Sequence, residues 1–456
     1  MHDLTTGPIP RHILRLAAPM AAGMVLQTLY YLIDLWFVAK LGDAAVAGVG
    51  SAGTLQYVVM AFTQVLGVGT MVLVSHAAGR KDRDDATLVF NQALSLSLGA
   101  AVVLVIVGYA LIPRYVATLA ADAATTTAGV SYLRWFLPAL AMQFALVSVG
   151  AALRGTGVAR PTMIVQALTV LCNALLAPVL IAGWGTGRPL GVAGAGLASS
   201  ISVVLGVVML LAYFRKLETF VRVDRHLMRL RRDVLVRLLR IGVPAGAEFA
   251  LLFVNTAIIY WIIRGFGPEA QAGYGIGSRV MQAFFLPAMA IAFAAAPVAG
   301  QNIGAGRPDR AQATFRDAAL MGSALMAALT LLCHIAPAAL VRVFTPEQAV
   351  IDVGAEFLRV ISWNFVAQGL VFTCSGIFQA LGNTVPSVVV ATTRLLTFAL
   401  PGIWLSRQPG FTLHRLWLLS TAAAAISAGL SYLLVQRALG RATARGMAPI
   451  PVAAEV

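Results

Sequence analysis

Charged side chains are scarce in this sequence. Aspartate, glutamate, lysine and arginine together make up 11% of the 456 residues, whereas soluble domains carry about 25%. Hydrophobic residues make up 59%, and the mean hydropathy is +0.84. This composition excludes an ordinary soluble domain and predicts an integral membrane protein. The net charge of +15 does not indicate a nucleic-acid partner, because the basic residues lie in short loops between long apolar segments.

Cysteines and catalytic motifs are also scarce. The three cysteines, Cys172, Cys333 and Cys374, lie in apolar segments and form no spaced pair, so neither a disulfide framework nor a zinc site is predicted. The sequence contains no Gly-Lys dipeptide, which excludes a P-loop for ATP, and it contains neither HExxH nor GxSxG. These absences argue against a membrane-embedded enzyme and against a bound cofactor or metal. A transporter with this sequence must use an ion gradient or the gradient of its own substrate.

Long apolar runs fill most of the chain. A bilayer core requires about 20 apolar residues in each helix, and glycine, proline and charged residues divide the sequence into twelve runs of that kind. The predicted spans are 13–39, 44–76, 86–112, 126–152, 161–183, 190–214, 234–264, 269–301, 311–338, 350–380, 385–406 and 411–437. The predicted fold class is therefore an all-α integral membrane protein with twelve transmembrane helices.

Lysine and arginine are distributed unevenly between the two sides of these spans. One side holds both termini and the loops near residues 80, 155 and 310, and it carries most of the basic residues. The positive-inside rule assigns this side to the cytoplasm, so we expect a multi-pass membrane protein with both termini inside. The long loop 215–233 is also basic, and it predicts an amphipathic linker on the anionic inner surface.

The two halves of the chain resemble each other. The strings "LRLAAPMAAG" at 14–23 and "LRIGVPAGAE" at 239–248 have an offset of 225, as have "LGDAAVAGVG" at 41–50 and "FGPEAQAGYG" at 266–275. A third pair, "AGRKDR" at 78–83 and "AGRPDR" at 305–310, has an offset of 227. Six helices in each repeat, an even number, predict two lobes related by a pseudo-two-fold axis along the membrane normal. The predicted domains are an N-terminal lobe (1–214), a cytoplasmic linker (215–233) and a C-terminal lobe with its tail (234–456).

An aspartate interrupts the first apolar run. Asp34 lies within "LQTLYYLIDLWFVAKLG", where an unpaired carboxylate costs about 2.5–3.5 kcal/mol on insertion scales. It shares a helix face with other polar residues, which form a polar stripe, and the second span carries a similar stripe. The candidate substrate-cavity residues in these two stripes are Gln27, Tyr30, Tyr31, Gln56, Thr63 and Gln64. Such a stripe faces a bundle interior or a water-filled cavity. Asp34 is either part of a structural hydrogen-bond network or a binding and coupling group, and its position in a membrane span favours the second role.

The repeat makes this stripe asymmetric. At the offset of 225, Asp34 corresponds to Ile259, so the acid at this position exists in the first half alone. The second half has polar residues of its own within spans, and the candidates for the substrate cavity are Glu248, Asn255 and Arg279. Arg394 also lies in an apolar run, and Glu248 is a candidate ion-pair partner for Arg279 or Arg394.

The order of these segments resembles the multidrug and toxic compound extrusion (MATE) family of cation-coupled exporters, over nearly the full length. The resemblance rests on "LAAP" followed by "LIDLWFVAKLG", on "ALRGTGVARPT" and, in the second half, on "GVPAGAE", "GQNIGAGRPDRA" and "FQALGNTVP". It implies that Asp34 binds the coupling ion. Many prokaryotic members have Asn-x-x-x-Asp-Pro on the fifth span; here Asn173 matches and Ala177 replaces the aspartate. The resemblance therefore leaves Asp34 with Asn173 as the ion-coupling residues.

Two functions are compatible with these features. The first is secondary active export of amphipathic, cationic compounds in exchange for protons or sodium ions by alternating access, in which a sodium ion would bind at Asp34 and Asn173. The alternative is a flippase for a lipid or lipid-linked precursor, which requires a basic cavity lined by residues such as Arg279 and Arg394. The expected partners are small-molecule substrates and the lipid bilayer, and the expected functional unit is a monomer.

Overall fold

The computed structural model describes residues 1–120, 122–185, 187–216 and 220–444. Most of this part of the chain is helical, and it contains no strand. The helices are α1 (Ile9–Ala39), α2 (Asp43–Gly79), α3 (Arg83–Leu119), α4 (Ala123–Gly155), α5 (Arg160–Ala182), α6 (Val192–Lys216), α7 (Arg232–Ile263), α8 (Pro268–Gly304), α9 (Pro308–Ile335), α10 (Pro337–Arg342), α11 (Gln348–Ile361), α12 (Asn364–Ala380), α13 (Val385–Leu405) and α14 (Leu413–Ala444).

These helices confirm the predicted fold class. Within the described residues, 11 helices are long and apolar enough to cross a bilayer, and α11 with α12 supplies the twelfth span. The span predicted at 350–380 is not one continuous helix, however, because it bends by 57° between Ile361 and Asn364. The carbonyl oxygen of Ser362 at this bend accepts a hydrogen bond from the Thr330 hydroxyl of α9 at 2.9 Å. A broken helix is tolerated inside a membrane when neighbouring side chains satisfy the freed backbone groups in this way.

The described chain forms two compact units. The first consists of Met1–Asp3 and Ala22–Gly242, and the second of Leu4–Ala21 together with the described residues from Val243 onward. The divisions fall inside α1 and α7, so each of these helices contributes to both units. The domains predicted from the sequence repeat are divided at the linker 215–233 instead. They remain a prediction.

The basic linker is bound to α3 within the first unit. Gln92 donates from Nε2 to the carbonyl oxygens of Leu227 and Arg229 at 2.6 and 2.7 Å. Because Gln92 is fully buried, these bonds replace the water that the linker backbone would otherwise bind. In its described residues the predicted amphipathic segment contains a 3-10 helix, Arg225–Met228, and is followed by α7 from Arg232.

The backbone repeats at the predicted offset of 225. Gly42 and Gly267 precede α2 and α8 with φ angles of 102° and 96°. The turns that follow these two helices contain Lys81 and Gly306, with φ angles of 60° and 70°. Positive φ angles favour glycine, because a Cβ atom crowds the backbone there. The alignment of the two "AGR" strings at 227 was wrong, since the turn geometry repeats at 225 and the shared letters are two positions out of register.

Glycines bring helices into backbone contact in both units. A Cβ atom built at Gly48 of α2 would lie 2.7 Å from the backbone nitrogen of Gly129 in α4. At the same offset in the second unit, a Cβ atom at Gly273 of α8 would lie 3.1 Å from the backbone nitrogen of Gly354 in α11. Small residues allow this approach, and van der Waals packing then holds membrane helices together where lipid supplies no hydrophobic driving force.

We expect Gly48→Ala to destabilise the protein by about 1–3 kcal/mol, because the added methyl group has no room between α2 and α4. Gly99→Ala on α3 is the matched control, since a Cβ atom there meets nothing within 4 Å and alanine favours a helix. The thermal unfolding midpoint of the purified protein in detergent measures the difference. Equal midpoints for the two variants would contradict the close contact at Gly48.

Candidate functional site

Asp34 is buried where α1 meets α4. Its exposed fraction is 6%, and its Oδ2 accepts a hydrogen bond from the hydroxyl of Tyr132 at 3.2 Å. The other oxygen, Oδ1, is buried and has no hydrogen-bond partner among the described residues. A buried acceptor without a partner costs about 1–3 kcal/mol, and the cost is higher for a charged group within a bilayer. The arrangement therefore leaves one carboxyl oxygen available to a proton or a cation.

A second buried polar group lies on α5. Asn173 is fully buried, and its Nδ2 donates to the hydroxyl oxygens of Tyr30 and Ser199, both at 3.3 Å. These bonds join α5 to α1 and to α6. The Oδ1 atom of Asn173, like that of Asp34, is buried without a partner in the described part of the chain. Carboxylate and amide oxygens are the kinds of ligand that hard cations bind.

The polar stripe of α1 divides into two rows. Tyr30 and Asp34, four residues apart, are buried, whereas Gln27 and Tyr31 are exposed on the first unit. The Tyr31 hydroxyl accepts from Nε2 of Gln27 at 3.4 Å and from Nε2 of Gln56 on α2 at 2.5 Å. The residues that this spacing groups on one helix face thus form two neighbouring i, i+4 pairs with different surroundings.

The other two candidates on α2 do not join either row. Thr63 is buried, and its hydroxyl donates to the carbonyl oxygen of Met60 in its own helix at 2.8 Å. Gln64 is half-buried. Because this hydroxyl donates to the backbone of its own helix, Thr63 has no hydrogen-bond donor left for a ligand.

The second unit replaces the network around Asp34 with an apolar core. At the offset of 225, the counterparts of Asp34, Tyr132 and Asn173 are Ile259, Phe357 and Phe398. These three counterparts are buried in one hydrophobic cluster. The two units therefore repeat the backbone at this place, but a carboxyl group occupies it in the first unit alone.

The second unit contains a cavity of its own. It has a volume of about 770 Å³, part of it open to solvent, and its lining comes mainly from α7, α12 and α13. Glu248 and Asn255 line it. Oε2 of Glu248 accepts from the Ser375 hydroxyl at 2.8 Å, and the Ser387 hydroxyl donates to that of Ser375 at 3.2 Å. Oδ1 of Asn255 is buried without a hydrogen-bond partner among the described residues.

The two intramembrane arginines have different surroundings. Arg394 lines the cavity and donates a hydrogen bond to Oε1 of Gln368. Arg279 is exposed on α8 and lies outside the lining of this cavity. The expected ion pair with Glu248 is not formed, since no ion pair of the described residues includes it. The physical reason is that Arg394 bonds to the neutral amide of Gln368 and Glu248 to the hydroxyl of Ser375, so each group has a hydrogen-bond partner but no oppositely charged one among the described residues.

The chain matches a known family in both halves. The MatE family model matches residues 19–179 and 244–405. The chain belongs to the MATE family of transporters. This match confirms the family resemblance of the sequence, and its two starting positions, 19 and 244, reproduce the offset of the internal repeat.

Relatives in the MATE family match nearly end to end. The probable multidrug resistance protein YoeA of Bacillus subtilis (strain 168) is 25% identical over 419 residues, which are 91% of this chain and 90% of that protein. The multidrug export protein MepA of Staphylococcus aureus (strain NCTC 8325 / PS 47) is 25% identical over 393 residues, or 84% of each chain. A crystal structure of MATE in the bent conformation is 22% identical, covers 97% of this chain and 98% of that one, and has a TM-score of 0.91. At this identity the structural similarity shows the shared fold.

Sequence reasoning missed the hydroxyl groups that bind the acids. Tyr132 contacts Asp34, and Ser375 contacts Glu248. A signal for Tyr132 was present, because Tyr132 and Asp34 are both replaced by apolar residues at the offset of 225. Two groups that depend on each other are expected to be lost together. Ser375 carried no such signal, since serine in a membrane helix often bonds to its own backbone.

Tyr132→Phe removes the hydrogen-bond donor of Asp34, and we expect a loss of about 1–3 kcal/mol in stability, because the carboxyl group is then buried without a partner. The double variant with Asp34→Ile and Tyr132→Phe reproduces the pair found in the second unit. It should regain most of the loss, since two packed apolar groups leave no polar atom unsatisfied. Thermal unfolding of the purified proteins in detergent measures both changes. A double variant less stable than Tyr132→Phe alone would show that the network is not a coupled pair.

Proposed function

We propose that this MATE transporter is a secondary active exporter that moves amphipathic, cationic compounds outward in exchange for protons or sodium ions. The observation that carries the proposal is Asp34, a carboxyl group buried in a membrane-spanning helix with Oδ1 unpartnered among the described residues. Intramembrane acids in such surroundings mark ion and proton pathways. The relatives support the direction of transport, since YoeA and MepA are named as multidrug resistance and multidrug export proteins.

The coupling ion in this proposal binds at Asp34. Asn173 supplies a second buried oxygen in the same unit, and its amide group is joined to α1 through Tyr30. A proton would neutralise the carboxylate directly, whereas a sodium ion would also use neutral oxygens such as that of Asn173. The described residues contain no group of three or more His, Cys, Asp or Glu side chains that could hold a metal ion. A single carboxylate with neutral oxygens suits a monovalent ion.

Coupling requires that the ion and the substrate favour different conformations or compete for one surface. Ion binding at Asp34 changes the hydrogen bonds of α1, and the exposed pair Gln27 and Tyr31 lies on the same helix. A change in α1 therefore alters the surface that these side chains offer to a substrate. Entry of the ion supplies about 2.3 kcal/mol per charge for each 100 mV, in addition to the concentration gradient.

The rest of the proposal concerns the setting of the transporter. The distribution of lysine and arginine supports an inner-membrane protein with both termini in the cytoplasm. The site has the groups for binding an ion and a substrate and needs no catalytic step or bound cofactor. Each unit contains its own polar site, which supports a functional monomer.

Asp34→Asn keeps the size of the side chain and removes its charge, so we expect ion-driven transport to fall to the level of protein-free vesicles while the protein still folds. Glu248→Gln is the matched variant in the second unit and should retain more transport. Uptake of a fluorescent lipophilic cation into inside-out vesicles measures both, with proton and sodium gradients imposed separately. Near-normal transport by a well-folded Asp34→Asn protein would exclude the coupling role.

A flippase for a lipid or lipid-linked precursor is the second candidate function. Arg394 favours it, because this residue places a cation in the cavity of the second unit. Glu248 lines the same cavity and would repel an anionic head group. We expect vesicles with the purified protein to flip a fluorescent phosphatidylglycerol analogue no faster than protein-free vesicles. Faster flipping that Arg394→Gln abolishes would favour the flippase over the exporter.

A further inference from the structure

The cavity of the second unit has polar side chains at two levels. Each of its three main helices contributes lining residues seven positions apart, namely Glu248 and Asn255 on α7, Gln368 and Ser375 on α12, and Ser387 and Arg394 on α13. Seven residues correspond to about 10 Å along an α-helix. The lining of this cavity therefore has two polar ends separated by roughly two helical turns.

Hydrogen bonds show which residues share a level. The carboxyl group of Glu248 accepts from Ser375, which in turn accepts from Ser387, so one residue of each helix meets at this end. At the other end Arg394 donates to Gln368. Seven residues along each helix thus lie between the level of the Glu248 carboxyl group and the level of the Arg394 guanidinium group.

Asn255 belongs to the guanidinium level. It lies two turns beyond Glu248 on α7, as Arg394 lies two turns beyond Ser387 on α13. These two helices are the seventh and eleventh spans, which cross the membrane in the same direction. Its Oδ1 is buried and has no hydrogen-bond partner among the described residues. This end of the cavity therefore holds a cation together with an unused acceptor.

Between the two levels the lining is apolar. Leu251, Val371, Phe372 and Val390 occupy the helical turns between the polar residues, and all four line the cavity. Such walls bind the apolar body of a ligand, whereas the few polar groups at the ends determine its orientation.

We propose that this cavity binds an amphipathic zwitterion, with its cationic group at Glu248, its anionic group at Arg394 and an aromatic or aliphatic body against Phe372. Neither charged residue has an ion-pair partner among the described residues. Charges about 10 Å apart attract each other far less than charges in contact, and a buried charge favours a partner. A ligand with one charge leaves the opposite protein charge unpaired, and a zwitterion pairs both. The inference rests on the proposed export function and assigns a class of ligand to the cavity of the second unit.

The test is equilibrium binding to the purified full-length protein in detergent, measured by isothermal titration calorimetry without any ion gradient. The zwitterionic probe is 4′-(aminomethyl)biphenyl-4-carboxylic acid. Its methyl ester keeps the cation alone, and its N-acetyl derivative keeps the anion alone. The wild-type protein should bind the zwitterion at least about tenfold more tightly than either derivative, since a hydrogen bond to a charged group contributes about that factor.

Variants show which residue binds each charged end of the probe. Glu248→Gln should bind the zwitterion about tenfold more weakly and no more tightly than the N-acetyl derivative. Arg394→Gln should bind the zwitterion no more tightly than the methyl ester. Arg279→Gln is the matched control, because Arg279 is an exposed intramembrane arginine outside the cavity lining, and it should bind as the wild type does.

Equal affinity of the wild-type protein for all three probes, or no binding of the zwitterion, would overturn the proposal without any variant. An unchanged preference in both Glu248→Gln and Arg394→Gln would also overturn it. Asp34→Asn should retain the preference for the zwitterion, because Asp34 lies in the other unit. Loss of coupled transport in that variant is therefore distinguishable from loss of binding in the cavity.

Discussion

The hydrogen bond between Tyr132 and Asp34 gives the buried carboxyl group of α1 a partner inside the first unit. A carboxyl group inside a membrane helix is tolerated when it faces the bundle interior and finds polar partners. This requirement explains why α1 packs its polar row against α4 while Asn173 connects the same helix to α5 and α6. The network remains incomplete, since Oδ1 of Asp34 has no partner among the described residues. This unpartnered oxygen on a buried acid is the observation on which the proposed ion-coupling role rests.

The two units keep one backbone plan and have diverged in polar content. Positive φ angles at Gly42 and Gly267, and the close contacts at Gly48 and Gly273, recur because each depends on the absence of a side chain. Polar networks have no such constraint, but a bilayer penalises partial replacement, so their members change together. The first unit accordingly has one buried acid at a site that is apolar in the second. The second has a cavity with one charge of each sign, which supplies a different kind of binding surface.

Much of the fold was predictable because its signals are local. Twelve apolar runs predicted the spans, and the repeat predicted two related halves, whose turns the structure shows at the same offset. The bend near Ser362 was not predictable, since it depends on a hydroxyl group from another helix, that of Thr330. Asp34 was recognisable as a candidate, because an acid within an apolar run is conspicuous, and the family resemblance added Asn173. Ser375 was not recognisable, because serine is ordinary in membrane helices and becomes significant through its partner alone. Tyr132 could have been found, because its counterpart in the repeat is the apolar Phe357.

The sequence by itself determined the membrane class, the number of spans, the duplication and the position of the acid that interrupts the first span. These properties follow from hydropathy summed over about 20 residues and from spacing along one chain. Tertiary structure alone decided which polar groups meet: Tyr31 turns to Gln56 while Tyr30 turns to Asn173, and Arg394 bonds to Gln368 rather than to Glu248. Hydrogen bonds form over about 3 Å between residues that are far apart in the chain. Their partners therefore depend on how helices pack, which no pattern within a single helix specifies.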